Sequence, residues 1–122
     1  MPQYIIFYGT LASNSSTRVH GAIQKSLTFV GECTAPGLLY NLGRYPGLKE
    51  GAGVIHGELY EIKDETILAI LDEFEAGDDN NPDLPGFTRK RITAIEPNVE
   101  AWIYYYDGKP DESQRILSGK WQ

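Results

Sequence analysis

Cysteine is nearly absent: Cys33 is the only one in 122 residues, which excludes a disulfide within the chain. A domain of this length buries roughly two-thirds of the surface its unfolded chain exposes, so it needs no covalent or metal staple. Histidine is scarce too. His20 and His56 stand far apart, with neither metal-ligand spacing nor the context of a nucleophilic triad. Positive charge is short, with 11 basic residues against 17 acidic ones and a net charge of -6. Nucleic-acid binding needs basic patches for counterion release. The one dense basic cluster, Arg89-Lys90-Arg91, reads as a solvated or ion-pairing strand segment, so no nucleic-acid partner is expected. No apolar run approaches the ~18 residues of a membrane span, and no membrane association is expected. With a single thiol and no leader-like start, the expected location is cytoplasmic. No Gly-rich phosphate loop is present either: Gly9-Thr10-Leu11-Ala12-Ser13 fits neither common pattern. No metal or cofactor is expected.

What the chain does have is 13 glycines, eight tyrosines and seven prolines, a composition of turns and short strands. Tyr4 to Tyr8 is an aromatic and β-branched run ending at Gly9, which predicts a buried strand. Thr10 to Ser16 is a polar loop. A short helix is expected from Ser16, with Val19, Ala22 and Ile23 at helical spacing. Leu27–Thr34 and Leu38–Leu42 have strand character about a turn or bulge at Pro36-Gly37. Gly43–Leu48 reads as a loop and Glu50–Gly53 as a turn. Val54–Ile62 reads as a strand, with a bulge or close backbone approach at Gly57. After the helical segment described next, 78–86 is a polar loop, and Phe87–Ile95 and Ala101–Tyr106 are strands. One domain spanning 1–122 is expected, of α+β class. Many short strands in so small a domain predict a curled, barrel-like sheet.

The segment Asp64–Ala76 predicts the main helix, with Asp64 as N-cap and Gly77 as the stop. With Ile67 set at zero, Ile67, Leu68, Ile70, Leu71 and Phe74 fill one arc from roughly 300° to roughly 100°. Asp72 and Glu73 fall outside it, near 140° and 240° on the same wheel. Glu75 falls inside, near 80°, between Leu71 and Leu68. A carboxylate among apolar neighbours is costly unless paired or protonated, and desolvation raises its pKa toward the working range of an acid–base catalyst. Glu75 is therefore the catalytic candidate. The competing reading pairs it with Arg89, Lys90 or Arg91, or leaves it exposed by fraying at the helix end.

Phe7-Tyr8-Gly9-Thr10-Leu11 resembles the Tyr-Gly-(Ser/Thr)-Leu loop of the gamma-glutamylcyclotransferase-like family. Leu71-Asp72-Glu73-Phe74-Glu75 resembles its Leu-Asp-x-x-Glu motif, whose last residue is catalytic in that family. Tyr45-Pro46-Gly47-Leu48, Val54–Ile62, Trp102–Tyr106 and Ser118-Gly119-Lys120-Trp121 look like the branch of gamma-glutamylamine cyclotransferases and small bacterial relatives. The likeness runs in order along nearly the whole chain. It implies a small mixed β-barrel with one main helix and a cavity between the first loop and that helix. It also implies intramolecular cyclisation of a gamma-glutamyl amine or dipeptide to 5-oxoproline, with release of the amine.

By the same resemblance Glu75 is the acid–base residue, and Tyr8, Gly9, Thr10 and Leu11 hold the glutamyl part. Tyr45, Tyr60 and Tyr104 are candidate cavity walls, and tyrosines filling a barrel interior would look the same. The expected partner is the small gamma-glutamyl substrate, bound by a monomer or weak homodimer. Ala76 stands where the family usually has Gly after its Glu, and the 77–86 loop is acidic and Asn-rich. These departures leave open a non-catalytic binding module on the same fold, or an interaction protein with a vestigial cavity.

Overall fold

The computed structural model describes residues 2–9, 21, 23, 25–43, 45–75 and 85–121, with only the backbone at 74. In chain order the elements are β1 (Gln3–Phe7), β2 (Leu27–Asn41), β3 (Pro46–Ile62), α1 (Thr66–Glu75), β4 (Phe87–Thr93) and β5 (Glu100–Tyr106). A 3-10 helix, Glu112–Gln114, follows. The five strands form one sheet in the order β2-β3-β1-β5-β4. β1 pairs antiparallel with β3 and meets β5 in parallel at Ile5–Trp102, while β2–β3 and β4–β5 are antiparallel. The α+β class expected from the sequence is the observed one.

The apolar run of β1 lies at the sheet centre because both its faces are buried. Ile5 packs toward α1 with Leu27, Ile62, Ile67 and Leu71. Ile6 points to the opposite face with Leu39, Leu48, Ile55 and Leu59. β5 alternates in the same way, with Ala101 and Ile103 on the Ile6 side and Tyr104 on the helix side. Period-two burial on both faces marks these as interior strands.

Helix α1 starts where the Asp64 carboxylate accepts from the Thr66 main-chain N–H at 3.0 Å and from its hydroxyl at 2.7 Å. That is the N-cap the sequence predicts. Ile67 and Leu71 are wholly buried. Burying each such side chain is worth about 1.5–3 kcal/mol, which fixes α1 on the sheet. The predicted stop at Gly77, the loop Thr10–Ser16, and Val19 and Ala22 of the short helix lie outside the described residues. Gly21, Ile23, Lys25 and Ser26 are helical and lead into β2, with Ile23 buried.

Three expectations are corrected. First, the sheet is not closed as a barrel. β2 and β4 are its edges, and closure would need a ladder between them. Instead Thr34 N–H donates to the Glu96 carbonyl and Ile95 N–H to the Thr34 carbonyl, just beyond the end of β4. Second, the expected loop Gly43–Leu48 is cut short, because β3 begins at Pro46 and takes in Gly47 and Leu48. Third, Glu50–Gly53 stays extended inside β3 rather than turning. It is still irregular: pairing passes from Pro36–Val54 to Leu38–Lys49, so these four residues lie opposite Gly37 alone. A side chain at Gly51 would meet the Leu38 side chain at 2.5 Å, so glycine lets Leu38 lie across the strand. The irregularity expected at Pro36-Gly37 is thus present, and such bulges bend a strand. Gly57 shows no bulge but does show close approach, since a Cβ there would sit 2.9 Å from the Phe7 carbonyl oxygen.

The C-terminal segment straps the curled sheet. Ile116 N–H donates to the Leu39 carbonyl on β2, and His56 N–H on β3 donates to the Gly119 carbonyl, both at 2.8 Å. Ile116 and Trp121 pack against the core on the Ile6 side. Among the described residues no helix is long and apolar enough to cross a membrane.

Candidate active site

Glu75 is the last residue of α1, one turn beyond Asp72 and the fully buried Leu71. Burial pushes its carboxyl up from the ordinary 4.5 to about 7. The helical wheel anticipates this: the side chain falls on the inward arc, where the charged form is poorly solvated. Glu73, on the opposite side, is exposed.

The competing ion-pair reading of Glu75 is resolved by where the basic cluster goes. Arg89 grips Asp72 with two bonds, Nε to Oδ1 at 2.8 Å and Nη2 to Oδ2 at 3.0 Å. Lys90 reaches Glu50 and Arg91 reaches Glu100. All three cations are engaged elsewhere, and among the described residues Glu75 has no cationic partner. The basic strand is the ion-pairing segment its sequence suggested. Arg89 and Arg91 also lie over the Trp102 ring, at 4.1 and 4.7 Å from its centroid.

Of the candidate binding residues, Tyr8 and Tyr104 are joined to each other, and both feel the Glu75 charge. The Tyr8 hydroxyl donates to the Tyr104 carbonyl at 2.6 Å. Burial first, then the Glu75 charge, holds the Tyr8 hydroxyl well above its ordinary pKa. The Tyr104 hydroxyl donates to Asp72 Oδ1 at 2.6 Å. Its pKa is raised by burial and the Asp72 hydrogen bond, with a smaller push from Glu75. These couplings place both phenols in the weakly screened surroundings of Glu75. Gly9 follows Tyr8 and runs so close to Pro46 that a Cβ would meet its ring at 2.8 Å. Thr10 and Leu11 lie outside the described residues.

Tyr45 and Tyr60 stand apart from this group. Tyr45 is 45% exposed and meets Phe87 edge-on. Tyr60 packs on Phe7 and Phe29, and its hydroxyl reaches Glu58 at 3.3 Å. Beside Tyr8 and Gly9 opens a hollow of about 310 Å³, floored by Gly57 and walled by Phe7, Glu58 and Trp121. Glu75 is not among its lining residues, so the hollow meets the Glu75 group only through Tyr8 and Gly9.

Sequence reasoning missed Asp72 and Arg89 as parts of this cluster. Asp72 was placed outside the apolar arc, and it is indeed half-exposed, yet it is the node of the network. The available signal was alternation in β4, which puts Arg89 on the same face as Phe87. Asp72 is held below its ordinary pKa, chiefly by Arg89. Its contribution to stability is therefore present above about pH 4 and lost as pH falls through the folded-state value. Asp72→Ala should cost about 1–2 kcal/mol at pH 7, discounted because the side chain is 42% exposed. Urea titrations of variant and wild type should converge below pH 4.

The family described as "Gamma-glutamyl cyclotransferase, AIG2-like" matches residues 5–122. The chain belongs to that family. Among its relatives is a Vibrio cholerae protein provisionally named a gamma-glutamylcyclotransferase. The two are 39% identical over 121 residues, covering 98% of this chain and 96% of the relative. The solution structure of YtfP from Escherichia coli shares the fold with TM-score 0.68 and 30% identity, covering 98% of this chain and 96% of that one. A mouse AIG2-like protein crystal structure gives TM-score 0.67 at 23% identity, covering 99% and 88% of the two chains, and speaks for the fold alone. Membership in the cyclotransferase family agrees with the motif resemblance of Phe7–Leu11 and Leu71–Glu75.

Among the described residues no group of three or more His, Cys, Asp and Glu is poised around a metal position.

Proposed function

We propose that this protein is an enzyme that cyclises a gamma-glutamyl amine or dipeptide to 5-oxoproline and releases the amine, with Glu75 as its acid–base residue. The observation that carries the reading is the burial of Glu75, which raises its carboxyl to about 7 while every cation of the neighbouring strand binds another acid.

The reaction needs no protein nucleophile. The substrate's own α-amine attacks its side-chain carbonyl, and the enzyme's first task is to hold the chain folded for that attack. The Glu75 carboxylate takes a proton from the α-ammonium. The freed amine adds to the carbonyl carbon, closing a five-membered ring and placing negative charge on oxygen. The protonated Glu75 then gives its proton to the departing nitrogen as the carbon–nitrogen bond breaks, and the ring nitrogen loses its second proton, which leaves on the released amine as its ammonium. No water is consumed, and Glu75 ends as it began. A carboxyl near 7 suits both transfers, being ionised enough to accept and acidic enough to return the proton.

The oxyanion and the substrate carboxylate require donors. Main-chain N–H groups at a strand-to-loop turn can supply them. The segment Tyr8–Leu11 at the end of β1 is assigned that role. The Tyr8 hydroxyl is already spent on the Tyr104 carbonyl, so Tyr8 serves by fixing the loop and shaping its wall. Tyr104, almost wholly buried, backs that wall by accepting the Tyr8 hydroxyl at its carbonyl. Tyr45 and Tyr60, which pack on Phe87 and on Phe7 and Phe29, are given no role in this reading.

The test is turnover on a panel of gamma-glutamyl amines and dipeptides, with 5-oxoproline quantified. Stoichiometric 5-oxoproline and amine are expected. Ligand-induced thermal stabilisation with no product would replace the enzyme by a binding module.

The buried acid also has a stability signature. Its raised pKa means that the folded state resists ionisation. The penalty is absent below pH 4.5, grows as pH rises and is complete above about 7. Glu75→Gln should therefore match wild-type stability at pH 4 and exceed it by about 2–3 kcal/mol at pH 8. Urea unfolding at the two pH values checks this.

A further inference from the structure

Tyr104 has both its free polar groups committed, each to a different part of the candidate site. β1 and β5 bridge at Ile5–Trp102, and two residues further along β5 the Tyr104 carbonyl is taken by the Tyr8 hydroxyl at 2.6 Å. On the other side of the same residue, the phenol donates to Asp72 on α1, also at 2.6 Å. Asp72 is clamped from β4 by the Arg89 fork, and Arg89 rests on Trp102. Asp72 and Glu75 are one helical turn apart, so they lie on neighbouring ridges of α1. Tyr104 itself is 4% exposed in a packed core. Burying a tyrosine requires one partner for its hydroxyl. A link from that hydroxyl to the turn before the acid, with the same residue's carbonyl on the binding loop, is more than satisfaction requires.

We propose that Tyr104 is the positioning residue of this site. Through Asp72 it sets the last turn of α1 and hence the reach of Glu75. Through its carbonyl it sets Tyr8 and the adjoining Gly9. The proposal rests on the cyclisation reading of Glu75. Positioning at this scale matters because a misplacement of about 1 Å can cost up to ~100-fold in rate.

The titratable groups facing Glu75 among the described residues are Tyr8 from the end of β1 and Tyr104 from β5. Asp72 and Glu73 share its helix, and Arg89 on β4 is occupied by Asp72. Loosening the last turn of α1 gives Glu75 more water, so its proton affinity should fall toward the ordinary carboxyl value.

Tyr104→Phe keeps the ring and the carbonyl and removes only the link to the helix. Asp72→Asn keeps the shape and weakens the same link from the other end. Both are compared with wild type and Glu75→Gln for kcat, KM, the pH–rate profile and the 13C titration of the Glu75 carboxyl. Tyr104→Phe should lower kcat about 10-fold with KM within about twofold. It should also move the acid limb, and the carboxyl titration with it, about one pH unit downward. Asp72→Asn should shift both in the same sense. Wild-type kcat in Tyr104→Phe, or a loss confined to melting temperature with an unmoved limb and titration, overturns the proposal. If Glu75→Gln is inactive while Tyr104→Phe behaves as wild type, the positioning role alone falls. A fully active Glu75→Gln removes the cyclisation reading and the positioning role together.

Discussion

Glu75→Gln should lower kcat for gamma-glutamyl cyclisation by at least ~100-fold, the scale of a general acid–base contribution. The amide keeps the size and most of the polarity of the side chain, so the loss isolates proton transfer. KM should change little, because the glutamyl group is assigned to Tyr8–Leu11 and not to Glu75. The pH dependence should separate this from a packing effect. Wild-type kcat/KM should rise with pH through an apparent pKa near 7, where the carboxyl becomes the required base. In Glu75→Gln that limb should vanish, leaving a low, flat residual rate across pH 5 to 8. The sign follows from the role: the reaction starts by accepting a proton, so the ionised form is active. A carboxyl with its ordinary 4.5 would place the limb more than two pH units lower.

Gly119→Ala should be the most damaging small substitution for stability. Gly119 has φ +71°, and an added Cβ would lie 2.1 Å from the Val54 carbonyl oxygen. The neighbour in the way is backbone and cannot swing aside. The Gly119 carbonyl itself accepts from His56 N–H, so displacement breaks the strap at its anchor on β3. Left-handed strain and overpacking together predict a loss of about 2–4 kcal/mol in urea unfolding. The loosened strap would carry Trp121 away from the hollow beside Tyr8 and Gly9. Gly31→Ala is the control, since a Cβ there meets nothing within 4 Å and the change should stay below about 0.5 kcal/mol.

Elements whose signal is local were legible in the sequence. The Tyr4–Tyr8 run gave a central strand, because an unbroken apolar stretch has to be buried on both faces. The helix began where Asp64 offered a cap and ran along the arc of Ile67 and Leu71. What failed was longer in range. Glu50–Gly53 read as a turn because glycines usually punctuate, but here they accommodate Leu38 from the neighbouring strand. The barrel failed because closure depends on how β2 and β4 meet, and periodicity within either strand says nothing about that. They meet at a pair of hydrogen bonds near Thr34 rather than along a ladder.

The site divides in the same way. Glu75 could be singled out because its oddity is measured against its own helix. Tyr8 and Gly9 entered by resemblance, and the structure ties the Tyr8 hydroxyl to the Tyr104 carbonyl. Asp72 stands in the Leu71–Glu75 motif but outside the apolar arc, and its bonds to Arg89 and Tyr104 come from β4 and β5, 17 and 32 residues away. Nor could the sequence say which acid each of Arg89, Lys90 and Arg91 would choose. That choice is what leaves Glu75 without a cation among the described residues.

The protonation of one side chain carries the account, and it can be read without substrate. A 13C titration of the Glu75 side-chain carboxyl, assigned by its loss in Glu75→Gln, should show a midpoint near pH 7. A midpoint near the ordinary 4.5 would mean a well-solvated carboxylate and would contradict the assignment of Glu75 as the buried acid–base group.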